Sequence, residues 1–151
     1  MEIVPEAFDS EAAAALVAAQ IAELGGVYDG VGDVGPVRES SHFEPPHGVF
    51  LVGRVDGRPL ACGGICRFDD ARAEVKRMYV APEARGRGLG RRVLEELESA
   101  ARGLGYRGIV LETGVKQREA LGLYRSTGYE PIPCYGPYAG EERSRCFEKR
   151  L

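Results

Sequence analysis

The sequence predicts a single domain built on a mixed α/β sheet, and three observations lead to this fold class. The chain has 151 residues, the length of one domain. Candidate strands and helices alternate in its second half, which favours parallel pairing in part of the sheet. In its first half, Asp56-Gly57 joins two candidate strands and is a strong hairpin signal. We therefore expect a mostly antiparallel twisted sheet with a parallel pair, flanked by helices.

The first half of the chain is predicted to form a strand, a helix, a loop and three strands. The segment MEIVPEAF is a candidate strand. The segment DSEAAAALVAAQIAELGG has helical apolar spacing, with Asp9 or Ser10 as its N-cap and Gly25 at its end. The stretch from Gly25 to Gly48 is rich in Gly and Pro and is a candidate flexible insert. The strand candidates GVFLVGRVDG, RPLACGGICRF and AEVKRMYVAP follow, and the last one ends at Pro82.

The second half is predicted to hold two helices, a short strand and a terminal strand pair. A helix from about Gly88 to Arg102 carries one apolar stripe. The stripe consists of Leu89, Val93, Leu94, Leu97, Ala100, Ala101 and Leu104. The strand candidate YRGIVLETG precedes a second amphipathic helix, KQREALGLYRSTG, which Gly128 closes. The segments YEPIPCYG and SRCFEKRL are candidate strands joined by a polar loop.

Composition and charge exclude several classes of protein. The formal net charge of −3 gives no overall attraction for nucleic acid. We see no apolar run near the ~20 residues that would span a bilayer. The segment MEIVPEAFDS lacks the basic and apolar regions of a signal peptide. We therefore expect a cytoplasmic protein that binds neither membranes nor nucleic acid.

The four cysteines, at positions 62, 66, 134 and 146, form no C-x-x-C pair. Only His42 and His47 could complete a metal site with them. We therefore expect no metal, and we interpret the cysteines as small buried or near-surface thiols in a reducing cytoplasm.

A glycine-arginine turn lies between a predicted strand and a predicted helix. The eight residues from Arg85 to Arg92 contain four arginines and three glycines. Glycines let the backbone approach a ligand closely, and a helix N-terminus offers free N–H groups and a positive dipole end. Arginine adds planar donors suited to phosphate. The turn is thus a candidate site for a small phosphorylated ligand, with a solvated loop and capped helix as the alternative.

The spacing in the turn separates this site from two common phosphate-binding motifs. The dinucleotide pattern G-x-G-x-x-G, begun at Gly86, needs a glycine where Arg91 stands, and the Walker pattern also fails there. The run Arg85-x-x-Gly88-x-Gly90 instead matches the pattern [RQ]-x-x-G-x-[GA] of the GNAT superfamily of N-acetyltransferases.

The surrounding segments strengthen the resemblance to the GNAT superfamily. The segment EVKRMYVAP resembles the fourth strand of that fold, and ALGLYRSTGYEPI resembles its later helix-to-strand motif. The resemblance extends from about Val49 to Leu151 and is weak before that. The segments YGPY and SRCFEK are similar to those of a bacterial subgroup of acetyltransferases.

The resemblance implies that acetyl-CoA is the co-substrate. The glycine-arginine turn would cradle its pyrophosphate, and the strand before the turn would pair its backbone with the pantetheine arm. Gln117 stands where the family often has Asn, and it could still hydrogen-bond the arm. The implied cofactor-binding residues are Met78, Tyr79, Val80, Arg85, Gly86, Arg87, Gly88, Leu89, Gly90, Gln117 and Tyr124.

The resemblance also implies acetyl transfer to a primary amine by direct attack in a ternary complex. Tyr124 is the candidate acid that protonates the thiolate, and a packed core tyrosine is the alternative. Glu74 is the candidate base, at the place of a catalytic glutamate in the histone-acetylating branch. The alternatives are an exposed carboxylate, a salt-bridge partner of Lys76 or Arg77, or a water chain in place of a base. A backbone N–H between Met78 and Val80 would stabilise the oxyanion.

By analogy with the GNAT superfamily, the acceptor would be an amine of a small molecule, an amino acid or a peptide. It would lie against the segments 27–48 and 134–146. The residues that could contact it are Arg38, His42, Arg77, Tyr138 and Arg143. An arginine there would favour an acceptor that carries a carboxylate. Solvated side chains are the alternative for each of them.

Two other functions compete with the enzyme. A non-catalytic acyl-CoA-binding or sensing module could use the same fold, although Tyr124 argues against it. A nucleic-acid-binding domain could use the arginines, but the net charge and the lack of nearby aromatic residues argue against it. A homodimer is a further possibility, because members of the superfamily often dimerise.

Overall fold

Seven strands form one sheet in the computed structural model of the protein, which describes residues 1–27 and 39–151. The strands are β1 (Glu2–Pro5), β2 (Val49–Val55), β3 (Arg58–Arg67), β4 (Arg72–Val80), β5 (Gly108–Gly114), β6 (Glu130–Ile132) and β7 (Ser144–Arg150). The helices are α1 (Glu11–Val27), α2 (Leu89–Gly103) and α3 (Arg118–Ser126). Short 3-10 turns span Ser40–Phe43, Pro82–Ala84 and Gly136–Tyr138.

The sheet is mixed, as the sequence predicts. Its strand order is β1-β2-β3-β4-β5-β7-β6. Every neighbouring pair is antiparallel except β4 and β5, which are parallel and are connected through α2. Strand β7 lies between β5 and β6, so the two strands that flank α3 in sequence do not pair with each other. The predicted antiparallel sheet with one parallel pair is confirmed.

The two faces of the sheet carry different helices. Helix α2 packs on the face of Gly63, where an added Cβ would meet Leu97 and Val93 at 3.1 Å. The next residue, Gly64, points to the opposite face, where Phe43 and Phe50 lie. The alternation of β3 therefore separates an α2 and α3 layer from a layer formed by α1 and the Ser40–Phe43 turn.

The predicted hairpin and the predicted start of α1 agree with the structure. Asp56 and Gly57 both have positive φ, at 51° and 78°, as the turn between β2 and β3 requires. Ser10 caps α1, because its Oγ accepts a hydrogen bond from the N–H of Ala13 at 3.1 Å.

The predicted end of α1 and part of the predicted flexible insert are wrong. Helix α1 continues past Gly25 to Val27, since glycine also adopts helical φ and ψ. The insert falls partly on residues 28–38, which lie outside the described residues. In its described remainder, Phe43 and Gly48 are buried among mostly exposed neighbours, and a Cβ at Gly48 would collide with the carbonyl oxygens of His42 and Ile65.

The expectation of four thiols is wrong for two cysteines. Cys146 lies opposite Ile132 in the β6–β7 pair, and Cys134 follows Ile132 by two residues. This pairing brings the Cα atoms of Cys134 and Cys146 to 5.1 Å, and the two form a disulfide. Cys62 and Cys66 are free thiols buried in the core.

Within residues 1–27 and 39–151, no helix has the combined length and hydrophobicity of a membrane span. No group of three or more His, Cys, Asp or Glu side chains there is arranged to hold a metal ion.

Thiol counting tests this cysteine assignment. The folded protein should show no thiol that reacts rapidly, because Cys62 and Cys66 are buried and burial raises the pKa of the Cys62 thiol to about 12. Unfolding in denaturant should expose two reactive thiols, and unfolding with prior reduction should expose four. Four thiols in denaturant without a reductant would contradict the Cys134–Cys146 disulfide.

Candidate active site

A cleft opens in the sheet where β4 and β5 diverge. Their parallel pairing ends at Val75 and Leu111, while β4 continues to Val80 beside β3 and β5 continues to Gly114 beside β7. The two strands and the adjacent helices enclose a cavity of about 950 Å³. Beyond Val75, β4 has no paired β5 residue within the described chain, which leaves room beside the strand for an extended ligand.

A bulge in β4 accompanies this divergence. Tyr79 pairs with Cys62 and Lys76 pairs with Gly64, so two β4 residues oppose the single residue Gly63. Arg77, one of the two, has a φ of 60°, which is uncommon for a residue with a side chain. The bulge bends β4 away from β5 at the point where the cleft begins.

The glycine-arginine turn closes one end of the cleft. Gly86 and Gly88 have φ values of 80° and 77°, in the left-handed region that favours glycine. Gly88 is the N-cap of α2 and has no side chain with which to cap the helix. The first turn of α2 lines the cavity, which places orphan N–H groups and the positive end of the helix dipole at the ligand space.

The cavity wall is positively charged although the whole chain is acidic. Seven Lys and Arg residues and four Glu residues line it. The cationic residues are Lys76, Arg77, Arg85, Arg91, Lys116, Arg118 and Arg143. The excess of cations favours an anionic ligand at this site.

The arginines of the turn have different roles. Arg85 lines the cavity, but its side chain donates to the carbonyl of Val80 at 3.0 Å and to both carboxylate oxygens of Glu23 at 2.8 Å. It therefore ties the turn to β4 and α1. Arg87 is exposed and lies outside the cavity wall. Arg91, which is not among the implied cofactor-binding residues, lines the cavity and donates to Ser126 of α3 at 3.1 Å.

The other predicted cofactor-binding residues lie on the cavity wall. Met78, Tyr79 and Val80 come from β4, and the side-chain amide of Gln20 donates to the Met78 carbonyl at 2.9 Å. Gln117 is the N-cap of α3, and its side-chain oxygen accepts a hydrogen bond from the Gly114 N–H at 2.8 Å. The predicted residues that line the cavity are Met78, Tyr79, Val80, Arg85, Gly86, Gly88, Leu89, Gly90, Gln117 and Tyr124.

Tyr124 is both packed and accessible from the cavity. It is buried on α3, with ring centroids 5.7 Å from Tyr129 and 6.2 Å from Phe147, and it lines the cleft. Burial, and then the negative charge of Glu112, raise the pKa of the Tyr124 phenol above its ordinary value of 10.0. The phenol is therefore protonated at neutral pH, as a general acid must be.

Glu74 is buried behind the cleft and does not line it. It is 3% exposed, and its carboxylate accepts a hydrogen bond from the Tyr135 hydroxyl at 3.0 Å. The interpretation of Glu74 as an exposed carboxylate is therefore wrong. Lys76, two residues further on the same face, lines the cavity and donates to the Tyr138 hydroxyl at 2.7 Å.

Glu112 is the carboxylate that the sequence analysis missed. It follows Leu111, the last β5 residue paired with β4, and it lines the cavity in a half-buried position. Its side chain accepts a hydrogen bond from the Ser144 hydroxyl at 2.7 Å. An ionisable residue inside the short apolar strand IVLETG is the signal that could have identified it, because such residues are costly to bury.

Only some of the residues predicted to contact the acceptor amine line the cavity. Arg77 and Arg143 line the cavity, and Arg143 donates to Glu141 at 3.0 Å. Tyr138 is buried and reaches the cavity wall through Lys76. His42 is exposed outside the cavity and accepts a hydrogen bond from the Glu39 N–H. Arg38 lies outside the described residues.

This strand-cleft architecture defines the class of protein. Residues 21–129 match the model of the acetyltransferase (GNAT) family, and the chain belongs to that family. The protein is accordingly an N-acetyltransferase, as the sequence resemblance predicts.

Relatives and solved structures place the chain within the family. It is 40% identical over 128 residues to an IAA acetyltransferase from Azospirillum brasilense, covering 80% of this chain and 83% of the relative. A protein from Klebsiella pneumoniae assigned as an acyl-CoA N-acyltransferase superimposes with a TM-score of 0.86 at 30% identity, covering 99% and 97% of the two chains. A GNAT acetyltransferase from Elizabethkingia anophelis with acetyl-CoA bound shares the fold, with a TM-score of 0.69 at 16% identity and coverage of 99% and 97%.

Proposed function

We propose that the protein transfers an acetyl group from acetyl-CoA to a primary amine by direct attack in a ternary complex. The observation that carries this proposal is the cleft between β4 and β5, which has the N-terminus of α2 at one end and Tyr124 on its wall. The acceptor would be an amine of a small molecule, an amino acid or a peptide.

The cleft fits the separate parts of acetyl-CoA. The pyrophosphate would lie on the first turn of α2, where glycine backbone and helix N–H groups meet a positively charged wall. The pantetheine arm would extend along β4 from Val80 towards Val75, where backbone groups lack a β5 partner. The acetyl thioester would then lie near the point where the strands diverge, beside Tyr124 and Glu112.

Tyr124 would protonate the departing CoA thiolate. An acid for this step must stay protonated at neutral pH, and the raised pKa of Tyr124 meets that requirement. A backbone N–H of β4 between Met78 and Val80 would stabilise the oxyanion.

The acceptor amine must lose a proton before it attacks, since an alkylammonium group has a pKa of about 10.4. Glu112 is better placed than Glu74 to take this proton, because Glu112 lines the cavity and Glu74 does not. Arg77 and Arg143, on the same cavity wall, would favour an acceptor that carries a carboxylate.

Substitution of Gly88 tests the cofactor site. Alanine at Gly88 should weaken binding of CoA and acetyl-CoA about tenfold or more in isothermal titration, because an L-residue resists the φ of 77° that shapes the turn. Gly105→Ala is the matched control: Gly105 has a φ of 92° beyond the other end of α2 and lies outside the cavity wall. Both variants should lose about 1–2 kcal/mol of stability. Equal CoA affinity in the two variants would contradict the proposed phosphate site.

Substitution of Tyr124 tests turnover. Tyr124→Phe should lower kcat about 100-fold with little change in the KM for acetyl-CoA, because only the proton donor is removed. In the wild type, the raised pKa means that Tyr124 should cause no loss of activity until the pH passes well above 10.0. Tyr129→Phe is the control, since Tyr129 packs on Tyr124 but lies outside the cavity wall. Wild-type turnover in Tyr124→Phe would remove Tyr124 from the mechanism.

The same assay tests the alternative function. No turnover by the wild-type protein with any amine would favour a non-catalytic acyl-CoA-binding module.

Two carboxylate variants test the base. Glu112→Gln should lower kcat about 100-fold and abolish the decline of kcat/KM on the acidic side, because the proton acceptor is lost. Glu74→Gln should preserve the pH profile, since the amide oxygen can still accept the Tyr135 hydrogen bond. The opposite result would assign the base to Glu74. An acidic decline that persists in both variants would favour a water chain.

A further inference from the structure

We propose that the Thr113 hydroxyl is a binding group for the pantetheine arm, where it hydrogen-bonds the amide next to the thiol. This inference rests on the proposed function, because it takes an acyl-CoA as the ligand of the cleft. Thr113 lies in β5, outside the two motifs that carry the sequence resemblance, which are the glycine-arginine turn and the segment ALGLYRSTGYEPI.

Thr113 combines burial with an unsatisfied polar atom. The residue is 4% exposed and lies on the cavity wall, two positions beyond Leu111, where β5 last pairs with β4. Its Oγ1 is buried and has no hydrogen-bond partner among residues 1–27 and 39–151. No other buried side-chain nitrogen or oxygen in these ranges lacks a partner.

A hydroxyl at this position weakens the apo fold. A buried polar group without a partner carries its full desolvation penalty, whereas valine has the same shape and carries none. The β5 residues on the same face, Ile109 and Leu111, are apolar and fully buried. Thr113 follows them on the cavity wall, and a hydrogen bond that forms when the ligand enters accounts for its unsatisfied hydroxyl.

The alternation of β5 indicates which part of the ligand Thr113 meets. Glu112 points to the face of Ser144, whereas Thr113 points to the opposite face, that of α3 and Tyr124. The amine must approach the acetyl carbon from the Glu112 side, where Arg143 also lies on the wall. The Thr113 hydroxyl therefore meets the arm behind the thioester, where the polar group is the amide next to the thiol. A hydroxyl can donate to the carbonyl of that amide or accept from its N–H.

Two variants separate the hydroxyl from the shape of the side chain. Thr113→Val keeps the shape and removes the hydroxyl, and Thr113→Ser keeps the hydroxyl and removes the methyl group. Isothermal titration with CoA and with acetyl-CoA should show that Thr113→Val binds both ligands about tenfold more weakly. Thr113→Ser should stay within about threefold of the wild type.

A second readout comes from thermal unfolding without ligand. Thr113→Val should have a higher Tm than the wild type, because the unsatisfied hydroxyl is gone. The ligand-induced increase in Tm should be smaller in Thr113→Val than in the wild type, because the bond formed on binding is also gone.

Several results would overturn the inference, and they differ from a failure of the proposed function. Equal affinity of Thr113→Val and the wild type would remove Thr113 from the site while the acyl-CoA cleft stands. Weaker binding of acetyl-CoA alone would move the contact to the acetyl group and overturn the assignment to the amide. A folded wild type that binds neither ligand would overturn the proposed function and this inference with it.

Discussion

The bulge in β4 is the constraint on which the rest of the site depends. Two residues, Arg77 and Met78, oppose the single residue Gly63, and the strand bends away from β5 just beyond Val75. A Cβ at Gly63 would lie 2.6 Å from the Met78 sulfur and 3.1 Å from Leu97 and Val93, so a larger residue there would force Met78 to move. The bend ends the β4–β5 pairing at Val75, and within the described chain no strand pairs with the β5 side of β4 beyond that residue. Helix α2, the α3 tyrosine and the β5 side chains are arranged around that side of β4.

Buried polar contacts hold the loop that lies beside the proposed acceptor site. The loop between β6 and β7 is held by Tyr135, which donates to Glu74, and by Tyr138, which accepts from Lys76. Tyr135 also packs on Phe68, with ring centroids 4.8 Å apart. Glu74 and Lys76 belong to β4, so the strand that the proposed pantetheine arm would follow also anchors the β6–β7 loop. In the proposed function, β4 would therefore position both substrates.

Local chemistry made part of the fold and site predictable. The hairpin at Asp56-Gly57 and the glycines at 86 and 88 require particular backbone conformations, and such requirements are visible in sequence. The proposed roles of Glu112 and Thr113 depend on where β5 stops pairing with β4, and the Cys134–Cys146 disulfide depends on the β6–β7 register. These are non-local relations, so neither spacing nor composition revealed them. The turn arginines illustrate the same limit, because Arg85 is directed to Glu23 by the position of α1.

The insertion of β7 between β5 and β6 also constrains the order of folding. Strand β5 forms one wall of the cleft, and its far edge is held by β7 along seven residue pairs. Those partners are separated by about 30–40 residues in the chain, so closing them costs loop entropy that local contacts do not recover. During synthesis, β1 to β4 can pair in sequence, each with the strand before it. Strand β5 can pair with β4 earlier, but its far edge is completed only after β7 emerges from the ribosome, so this wall of the cleft is finished after β1 to β4 have paired.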